Sequence, residues 1–434
     1  MRKNKIDIIT LGCSKNLVDS ERLMLQFKAN GYVVAHDPKR VNGEIVVVNT
    51  CGFIGDAQEE SIQMILELEE AKRKGQIGKL FVMGCLSERF MADLQHEITG
   101  VDRFYGKFNW KNLLNDIGKS YDAGLANDRI LTTPSHYAYL KIAEGCNRSC
   151  SFCSIPIMTG RYQSRTMDDI VSEARLLAAK GVRELQVIAQ DITYYGLDLY
   201  RRPSLPELVE RLSEVKGIVW IRLHYGYPAG FPYDLLRVMR EHNNICKYLD
   251  IALQHISDKM LKKMRRRITR EETYDLLRVI RRETPGIHLR TTLMVGHPGE
   301  TEDDFDELID FVKEVRFERL GAFAYSHETG TYAHTYYKDE VPDEVKQKRL
   351  DTLMRVQQTI AAEKSEEKVG KVLKTVVDRK EGEFYVGRTE FDSPEVDAEV
   401  LIKSDKRLRT GCFYEVLIEK AEVYDLYGKT VILT

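Results

Sequence analysis

The chain contains, between residues 144 and 153, the stretch Glu144-Gly-Cys146-Asn-Arg-Ser-Cys150-Ser-Phe152-Cys153. Three cysteines spaced in this way can bind three irons of a four-iron, four-sulfur cluster and leave the fourth iron without a protein ligand. A small molecule can bind that open iron and receive an electron there. The spacing therefore indicates redox chemistry more than structural support.

A structural zinc site is the main alternative for closely spaced cysteines. Such sites use four ligands, usually in two pairs of Cys or His. No fourth cysteine lies near the three, and the nearest histidine, His136, precedes Cys146 by ten residues across a predicted strand. We therefore favour an iron–sulfur cluster over zinc, and over three packing thiols that happen to be adjacent.

Length and charge set broad limits on the protein. A chain of 434 residues is expected to form two or three domains. It has 65 basic and 67 acidic residues, a net charge of −2, so a molecule-wide electrostatic attraction to nucleic acid is not indicated. The apolar runs are too short for a transmembrane helix or an export signal. The eight cysteines are then expected to be reduced, and the cytoplasm is the expected location.

The first 120 or so residues alternate strand and helix patterns, which predicts an α/β layered domain. Three of its predicted strands run directly into a cysteine: Ile6–Leu11 into Cys13, Ile45–Asn49 into Cys51 and Leu80–Met83 into Cys85. The carboxyl ends of parallel strands meet at one edge of a sheet, so these thiols should converge. Any one of them could be an ordinary buried thiol. All three together favour a second cluster with an open iron.

From Tyr137 to about Glu366 the sequence repeats a strand-then-helix pattern. Six such units are too few for a closed eight-stranded barrel and predict an open, partial (β/α)6 TIM-like barrel. A polar motif follows every strand, so these motifs should share one catalytic face. The predicted strands are Tyr137–Ile142, Glu184–Ala189, Val219–His224, Tyr248–Leu253, His288–Val295 and Arg319–Tyr325.

The last 70 or so residues read as short strands broken by Gly, Asp and Pro, which predicts a small antiparallel β-barrel. From Glu366 onward there are 15 acidic and 12 basic residues, a net charge of −3, which suits a basic protein partner better than RNA. The predicted strands are Val372–Val377, Glu383–Val386, Ala398–Ile402, Tyr414–Ile418 and Thr430–Leu433.

The cysteine loop, with Phe152 before its last Cys, resembles the signature of radical S-adenosylmethionine enzymes. The three-part layout resembles their methylthiotransferase branch over nearly the whole chain. That resemblance implies an N-terminal auxiliary-cluster domain (1–122), a radical core (132–365) and a terminal TRAM barrel (366–434). It also implies two [4Fe-4S] clusters, one held by Cys13, Cys51 and Cys85 and the other by Cys146, Cys150 and Cys153.

Further motifs resemble the methylthiotransferases that modify the β-carbon of an aspartate in the twelfth protein of the small ribosomal subunit. Around the first cysteine, and at Gln190-Asp191, the tRNA-modifying branch typically differs from this chain. Methylthiolation of a tRNA adenosine remains the alternative within the enzyme class, and a non-catalytic metal- or RNA-binding module is the alternative outside it. The motifs are Leu11–Glu21, Ile188–Asp191, Tyr248–Ile251, Leu253–Ser257 and Arg388–Asp397.

The resemblance also implies a mechanism. S-adenosylmethionine would chelate the open iron, and its reductive cleavage would give a radical that takes hydrogen from the aspartate. A second S-adenosylmethionine would supply the methyl group of the methylthio unit. Phe152 is a candidate to flank the adenine, and Gln190 and Asp191 to hold the amino-acid end. Gly296 and Gly299 would allow close backbone approach, although an ordinary strand-to-helix turn explains them equally well.

No side-chain general base is required, so none is assigned. Clusters of this kind can have potentials of roughly −400 mV or below, so a flavodoxin or ferredoxin-type donor is expected beside the ribosomal protein substrate. DNA, membrane and tRNA are not expected partners. Cys246 and Cys412 are interpreted as packing thiols, and the basic run Lys262–Arg267 as a solvated helix face rather than a substrate contact.

Overall fold

The computed structural model describes residues 1–431, and its strands form three main sheets in chain order. The first is a five-stranded parallel sheet in the order β2-β1-β3-β4-β5. Its elements are Arg2–Thr10 (β1), Ser14–Ala29 (α1), Val33–His36 (β2), Gly43–Thr50 (β3), Gly55–Arg73 (α2), Lys79–Gly84 (β4), Cys85–Glu97 (α3), Arg103–Phe104 (β5) and Trp110–Asp116 (α4).

Helices cover both faces of this first sheet. Alternate side chains of the central strand β3 face opposite sides: Val46 and Val48 pack beneath α2, and Ile45 and Val47 pack beneath α1. Burial on both faces explains the continuous apolar run of this strand, which is typical of a parallel sheet. The predicted α/β layered domain is confirmed.

The second sheet holds six parallel strands in the order β13-β12-β11-β10-β9-β6, and its two ends do not pair, so the barrel is open as predicted. Two short strands, β7 and β8, pair separately. The elements are Tyr137–Lys141 (β6), Ala143–Glu144 (β7), Ile155–Thr159 (α5), Gln163–Ser164 (β8), Met167–Ala179 (α6), Glu184–Ile188 (β9), Leu205–Ser213 (α7), Trp220–Gly226 (β10), Asp234–Glu241 (α8), Ile245–Gln254 (β11), Asp258–Lys263 (α9), Arg270–Glu283 (α10), His288–Val295 (β12), Glu302–Val315 (α11), Arg319–Ala324 (β13), Tyr332–Tyr336 (α12) and Asp343–Glu366 (α13).

The third sheet is a closed five-stranded barrel in the order β14-β15-β16-β18-β17. Its strands are Val372–Glu381 (β14), Phe384–Thr389 (β15), Val400–Lys403 (β16), Phe413–Ala421 (β17) and Leu426–Thr430 (β18). The predicted barrel is confirmed, although the β16–β18 pair is parallel while the other pairs are antiparallel. The last predicted strand, Thr430–Leu433, begins where β18 ends, and its residues 432–433 lie outside the described part of the chain.

The terminal barrel packs on the core near the amino-terminal ends of the core strands, at the end opposite to the strand-end loops. Residues 388–397 make most of this junction. Asp392 pairs with Arg319 at 2.5 Å, and Asp397 pairs with Arg290 at the same distance. Glu395 accepts a hydrogen bond from the hydroxyl of Tyr137 at 2.8 Å.

This junction accounts for part of the net charge of −3 in the terminal segment, which by itself suggests a basic protein partner. The carboxylates of Asp392, Glu395 and Asp397 are held by core side chains, and Glu390 accepts from the backbone N–H of Lys247. Asp392 and Asp397 therefore neutralise core arginines, while Glu395, an exposed residue, accepts its hydrogen bond from a tyrosine at the edge of the junction. The net charge of the terminal segment is thus a poor guide to what its outer surface binds.

Candidate functional site

The first three cysteines lie at adjacent strand ends of the parallel sheet. Cys13 follows β1 and precedes α1, Cys51 follows β3, and Cys85 begins α3 directly after β4. Since β1, β3 and β4 are neighbours in the sheet, their carboxyl ends meet at one edge. We call Cys13, Cys51 and Cys85 the auxiliary trio.

Two glycines permit this close approach. Gly12 has φ +89°, and a Cβ added there would lie 2.7 Å from the Cβ of Cys51. Gly84 has φ +107°, and a Cβ there would lie 2.5 Å from the carbonyl oxygen of Thr50. A side chain at either position would combine a left-handed backbone with a steric clash. The sequence Gly-Cys after β1 and β4 is therefore required by the geometry of the strand ends.

A buried lysine lies beside the auxiliary trio. The ammonium of Lys107 lies 3.7 Å from Sγ of Cys85, 3.2 Å from Oδ1 of Asn16 and 3.4 Å from Oδ2 of Asp19. Lys107 follows β5, so the strand-end rule that predicted the cysteines would also have found it. Sequence reasoning missed it because β5 is only two residues long.

The protonation tendencies of the auxiliary trio differ. For Cys13, burial against protein atoms raises the thiol pKa, but the charges of Lys15 and Lys107 and the backbone hydrogen bonds from Asn16 and Lys15 oppose it, and the pKa is lowered. For Cys85, burial dominates and raises the thiol pKa to about 11, although Lys107 opposes the shift. Burial also raises the pKa of Cys51. Binding iron would deprotonate these thiols, since the thiolate is the ligand form.

Cys146, Cys150 and Cys153, which we call the loop trio, lie in the irregular segment between β7 and α5. The backbone N–H of Cys146 donates to the carbonyl of Gly160 at 3.1 Å, and that of Cys153 donates to the carbonyl of Cys150 at 3.3 Å. Burial raises the pKa of Cys146 to about 11 and raises that of Cys153 further. These bonds fasten the start of the loop to the residue that follows α5 and form a tight turn at its end.

Two arginines approach the loop trio: Arg148, within the cysteine loop, and Arg266, which is buried although the basic run Lys262–Arg267 predicts a solvated face. Nη1 of Arg266 lies 3.1 Å from Sγ of Cys150, and the hydroxyl of Tyr227 lies 3.9 Å from the same sulfur. Nε of Arg148 donates to Asp191 at 2.7 Å, and its guanidinium lies 4.0 Å from the ring centroid of Tyr227. Positive charge beside thiolates offsets part of their negative charge, as a cluster bound there would require.

Both trios face one cavity of about 500 Å³. Its wall also carries an apolar group of side chains that limits water access. The apolar members are Phe53, Ile54, Ala57, Phe152, Ile155, Met158, Ala252 and Phe323, and the polar members besides the six cysteines are Lys15, Lys107, Arg148, Gln190, Asp191, Tyr225, Tyr227, Gln254, Arg266 and Thr292.

Each trio offers three cysteine thiols, which is the donor set of a four-iron cluster with one open iron. A four-iron cluster places each thiolate on a different iron, so its ligands stand further apart than those of mononuclear zinc. The donor set of three cysteines at each position therefore fits a cluster with one open iron.

The residues predicted to contact S-adenosylmethionine divide into two groups. Phe152, Gln190 and Asp191 lie on the cavity wall. Gly296 and Gly299 lie outside that wall, with φ of +77° and +84°, and their close neighbours are the side chains of Lys346 and Lys263. All five assignments stay predictions, and the ordinary-turn alternative for the glycines is consistent with these neighbours.

Asp191 has structural partners as well. Oδ1 accepts from the backbone N–H of Thr193 at 2.9 Å and caps the 3-10 helix Ile192–Tyr194, while Oδ2 accepts from Arg148. The buried carboxylate therefore fixes Arg148 against the cysteine loop.

The basic run Lys262–Arg267, predicted as a helix face, is only partly helical. Helix α9 ends at Lys263, and beyond it Arg265 and Arg267 have left-handed backbones.

Family models match three segments: the radical SAM superfamily at residues 140–312, the uncharacterized protein family UPF0004 at 5–106 and the TRAM domain at 369–431. Among solved structures, the radical S-adenosylmethionine methyltransferase TsrM from Kitasatospora setae matches with a TM-score of 0.53 and 16% identity over 74% of this chain and 75% of that one. The cobalamin-dependent enzyme OxsB matches with a TM-score of 0.52 and 11% identity over 79% and 56%. At such identities these structures show the shared fold alone.

The fold and the loop trio thus define a radical S-adenosylmethionine enzyme. Curated sequences named ribosomal protein uS12 methylthiotransferase RimO are much closer. The Parabacteroides distasonis protein is 70% identical over 99% of this chain and 100% of its own length, and the Porphyromonas gingivalis protein is 64% identical over 99% and 100%. The Cytophaga hutchinsonii protein is 52% identical over 99% and 98%. The chain belongs to the ribosomal protein uS12 methylthiotransferase RimO family.

Proposed function

We propose that this chain transfers a methylthio group to the β-carbon of an aspartate in ribosomal protein uS12. The observation that carries the proposal is that two cysteine trios, each with one ligand fewer than a cluster has irons, face the same cavity. Membership of the RimO family supports uS12 as the substrate. With a cluster and S-adenosylmethionine bound, the loop trio would supply reductive cleavage to a 5′-deoxyadenosyl radical, and the auxiliary trio would present sulfur.

The residues of the chain contribute binding, charge and exclusion of water. Arg266 and Tyr227 contact Cys150, and Lys107 contacts Cys85, so each trio has a polar group that can stabilise thiolate charge. Phe53, Ile54 and other apolar side chains line the rest of the cavity, where a carbon radical must be kept from side reactions. No side chain needs to remove a proton from the substrate in this scheme.

The electron donor and the location form part of the proposal. A flavodoxin or a ferredoxin would deliver the electron, because clusters of this kind can have potentials of roughly −400 mV or below and need a donor in that range. Among the described residues, no helix is both long and apolar enough to cross a membrane. We place the activity in the cytoplasm, where ribosomal proteins are made and assembled.

The test separates the two trios. After anaerobic reconstitution, the chain should cleave S-adenosylmethionine and add one methylthio mass to uS12. Cys150→Ala should abolish cleavage, whereas Cys51→Ala should retain cleavage and lose the transfer. Cys412→Ala, which alters a thiol of the terminal barrel, is the matched control and should retain both activities. A methylthio group found on tRNA and not on uS12 would refute the substrate assignment.

A further inference from the structure

The segment behind Cys150 is held by two pieces of the core that are distant in sequence. The backbone N–H of Ser151 donates to the carbonyl of Met264 at 3.0 Å, and its carbonyl accepts from the N–H of Ala333 at 2.7 Å. Ser151 itself is completely buried. Residues 262–267 and helix α12 therefore separate the loop trio from solvent at this point.

The first piece presents three exposed cations: Lys262, Arg265 and Arg267. Within residues 1–431, no carboxylate lies within ion-pair distance of any of the three. Cations just outside the run are paired, since Lys259 pairs with Asp304 and Arg270 pairs with Glu307, each at 2.6 Å. The charge of Lys262, Arg265 and Arg267 within the run is therefore unneutralised.

Two strained backbone positions in this run direct its three arginines to different environments. Arg265 has φ +58° and Arg267 has φ +55°, a conformation that L-residues adopt at a cost of about 1–2 kcal/mol each. Arg266 between them is buried and reaches Cys150. The result is one arginine directed to the thiol and its two neighbours at the surface.

The second piece adds exposed aromatic rings. Tyr332 and Tyr336, on α12, are 40% and 67% exposed and have ring centroids 4.5 Å apart. The guanidinium of Arg265 lies 4.4 Å from the centroid of Tyr332. Arginine and tyrosine at the centre of a patch are typical of protein–protein contacts. We call Lys262, Arg265, Arg267, Tyr332 and Tyr336 the electron-entry surface.

We propose that the electron-entry surface docks an acidic one-electron carrier protein; this rests on the proposed function, which needs an electron at the loop trio. One electron leaves the reduced carrier, which is oxidised by one electron, and enters the cluster at Cys146, Cys150 and Cys153; no atom is transferred. The route is short, because Ser151, next to Cys150, donates its backbone N–H to Met264 at 3.0 Å, and Met264 adjoins Arg265. Opposite charge would orient a weak, transient complex.

Two other occupants fit the surface less well. The ribosomal protein must reach the cavity, and among the described residues the cavity wall includes Arg266 but none of the five members of the electron-entry surface. Nucleic-acid binders commonly neutralise about six to ten phosphates, and three cations are too few for that. The position directly behind Cys150 favours the carrier.

The test uses the reconstituted holoenzyme and a purified flavodoxin. Lys262→Gln, Arg265→Gln and Arg267→Gln are combined in one variant. The matched control combines Arg201→Gln, Lys216→Gln and Lys247→Gln, which removes three exposed cations elsewhere, including Arg201 with φ +60°. Three measurements are made on each: the Kd for flavodoxin at low and high salt, the rate of cluster reduction by reduced flavodoxin, and S-adenosylmethionine cleavage driven by photoreduced deazaflavin.

The first variant should bind flavodoxin roughly tenfold more weakly at low salt, with a smaller salt dependence, and should be reduced more slowly in proportion. Its cleavage driven by deazaflavin should equal that of the parent, and the control should match the parent throughout. Unchanged flavodoxin affinity and reduction rate, or an equal loss in the control, would overturn the proposal, as would a loss of affinity for ribosomal RNA alone. Absence of cleavage with deazaflavin in the parent would instead refute the proposed function, while the flavodoxin Kd still decides the docking surface.

Discussion

Oε2 of Glu184 accepts a hydrogen bond from Nη2 of Arg388 at 2.8 Å, across the junction between the core and the terminal barrel. Both side chains are almost completely buried. Glu184 begins β9 and also pairs with Arg222, while Arg388 on β15 also pairs with Asp378. The terminal barrel is therefore attached to the core by a buried ionic network.

Arg388→Met should destabilise the protein strongly, because it leaves Glu184 and Asp378 buried with fewer partners. Breaking a buried pair in this way costs about 3–5 kcal/mol. Arg379→Met removes an exposed arginine that pairs with Glu399, and should cost less than about 1 kcal/mol. The check is the free energy of unfolding from urea denaturation of both variants. Equal effects would mean that the junction contributes little to stability.

Gly12→Ala should remove the auxiliary cluster and spare the other. The added methyl group would meet Cys51, and the backbone at φ +89° would be strained. Gly31→Ala is the matched control, with φ +88° and no atom within 4 Å of the new Cβ. Iron analysis should fall from about eight to about four per chain for Gly12→Ala only. Loss of iron in both variants would attribute the effect to backbone strain and not to the clash.

Arg266→Gln should lower the reduction potential of the cluster at the loop trio. The reduced cluster carries one more negative charge, and the guanidinium beside Cys150 stabilises that charge. A tenfold change in the reduction equilibrium corresponds to about 60 mV for one electron, and we expect a shift of that order. A redox titration followed by electron paramagnetic resonance measures it. Arg266→Lys, which keeps the charge, should recover part of the shift; a potential unchanged in Arg266→Gln would show that Arg266 does not act on the cluster.

Lys368 should make stability depend on alkaline pH. Burial lowers the pKa of its ammonium from 10.5 to about 8, while Asp392 opposes the shift. The protonated form is therefore disfavoured in the folded state, so its unfavourable contribution is complete below pH 8 and disappears as pH rises towards 10.5. The free energy of unfolding of the parent should rise by about 2 kcal/mol relative to Lys368→Met between pH 7 and pH 9.5. A constant difference between the two proteins over that interval would contradict the lowered pKa.

Much of the fold could be predicted from the sequence, because hydrophobic periodicity and turn-forming residues are local signals. Parallel strands such as β3 are buried on both faces and appear as unbroken apolar runs, so their positions and the cysteines after them could be predicted. Parallel strands align their carboxyl ends, and this rule alone predicts that Cys13, Cys51 and Cys85 converge. The six cysteines and the three-part layout were thus determined by the sequence.

Other features depended on tertiary structure. Lys107 follows a two-residue strand, and Arg266 belongs to a basic run that predicts a solvated face, yet both reach the trios, because ion pairs and sulfur contacts depend on distance in space and not on spacing in sequence. The sequence shows the number of acidic residues in the terminal segment but not their positions in the fold. In the structure, Asp392 and Asp397 pair with core arginines. Gly296 and Gly299 lie outside the cavity wall beside Lys346 and Lys263, and their contact with a ligand stays a prediction. The sequence determined which cysteines could bind metal. Only the tertiary structure decided which charged side chains lie beside them, because contacts between residues distant in sequence leave no local sequence pattern.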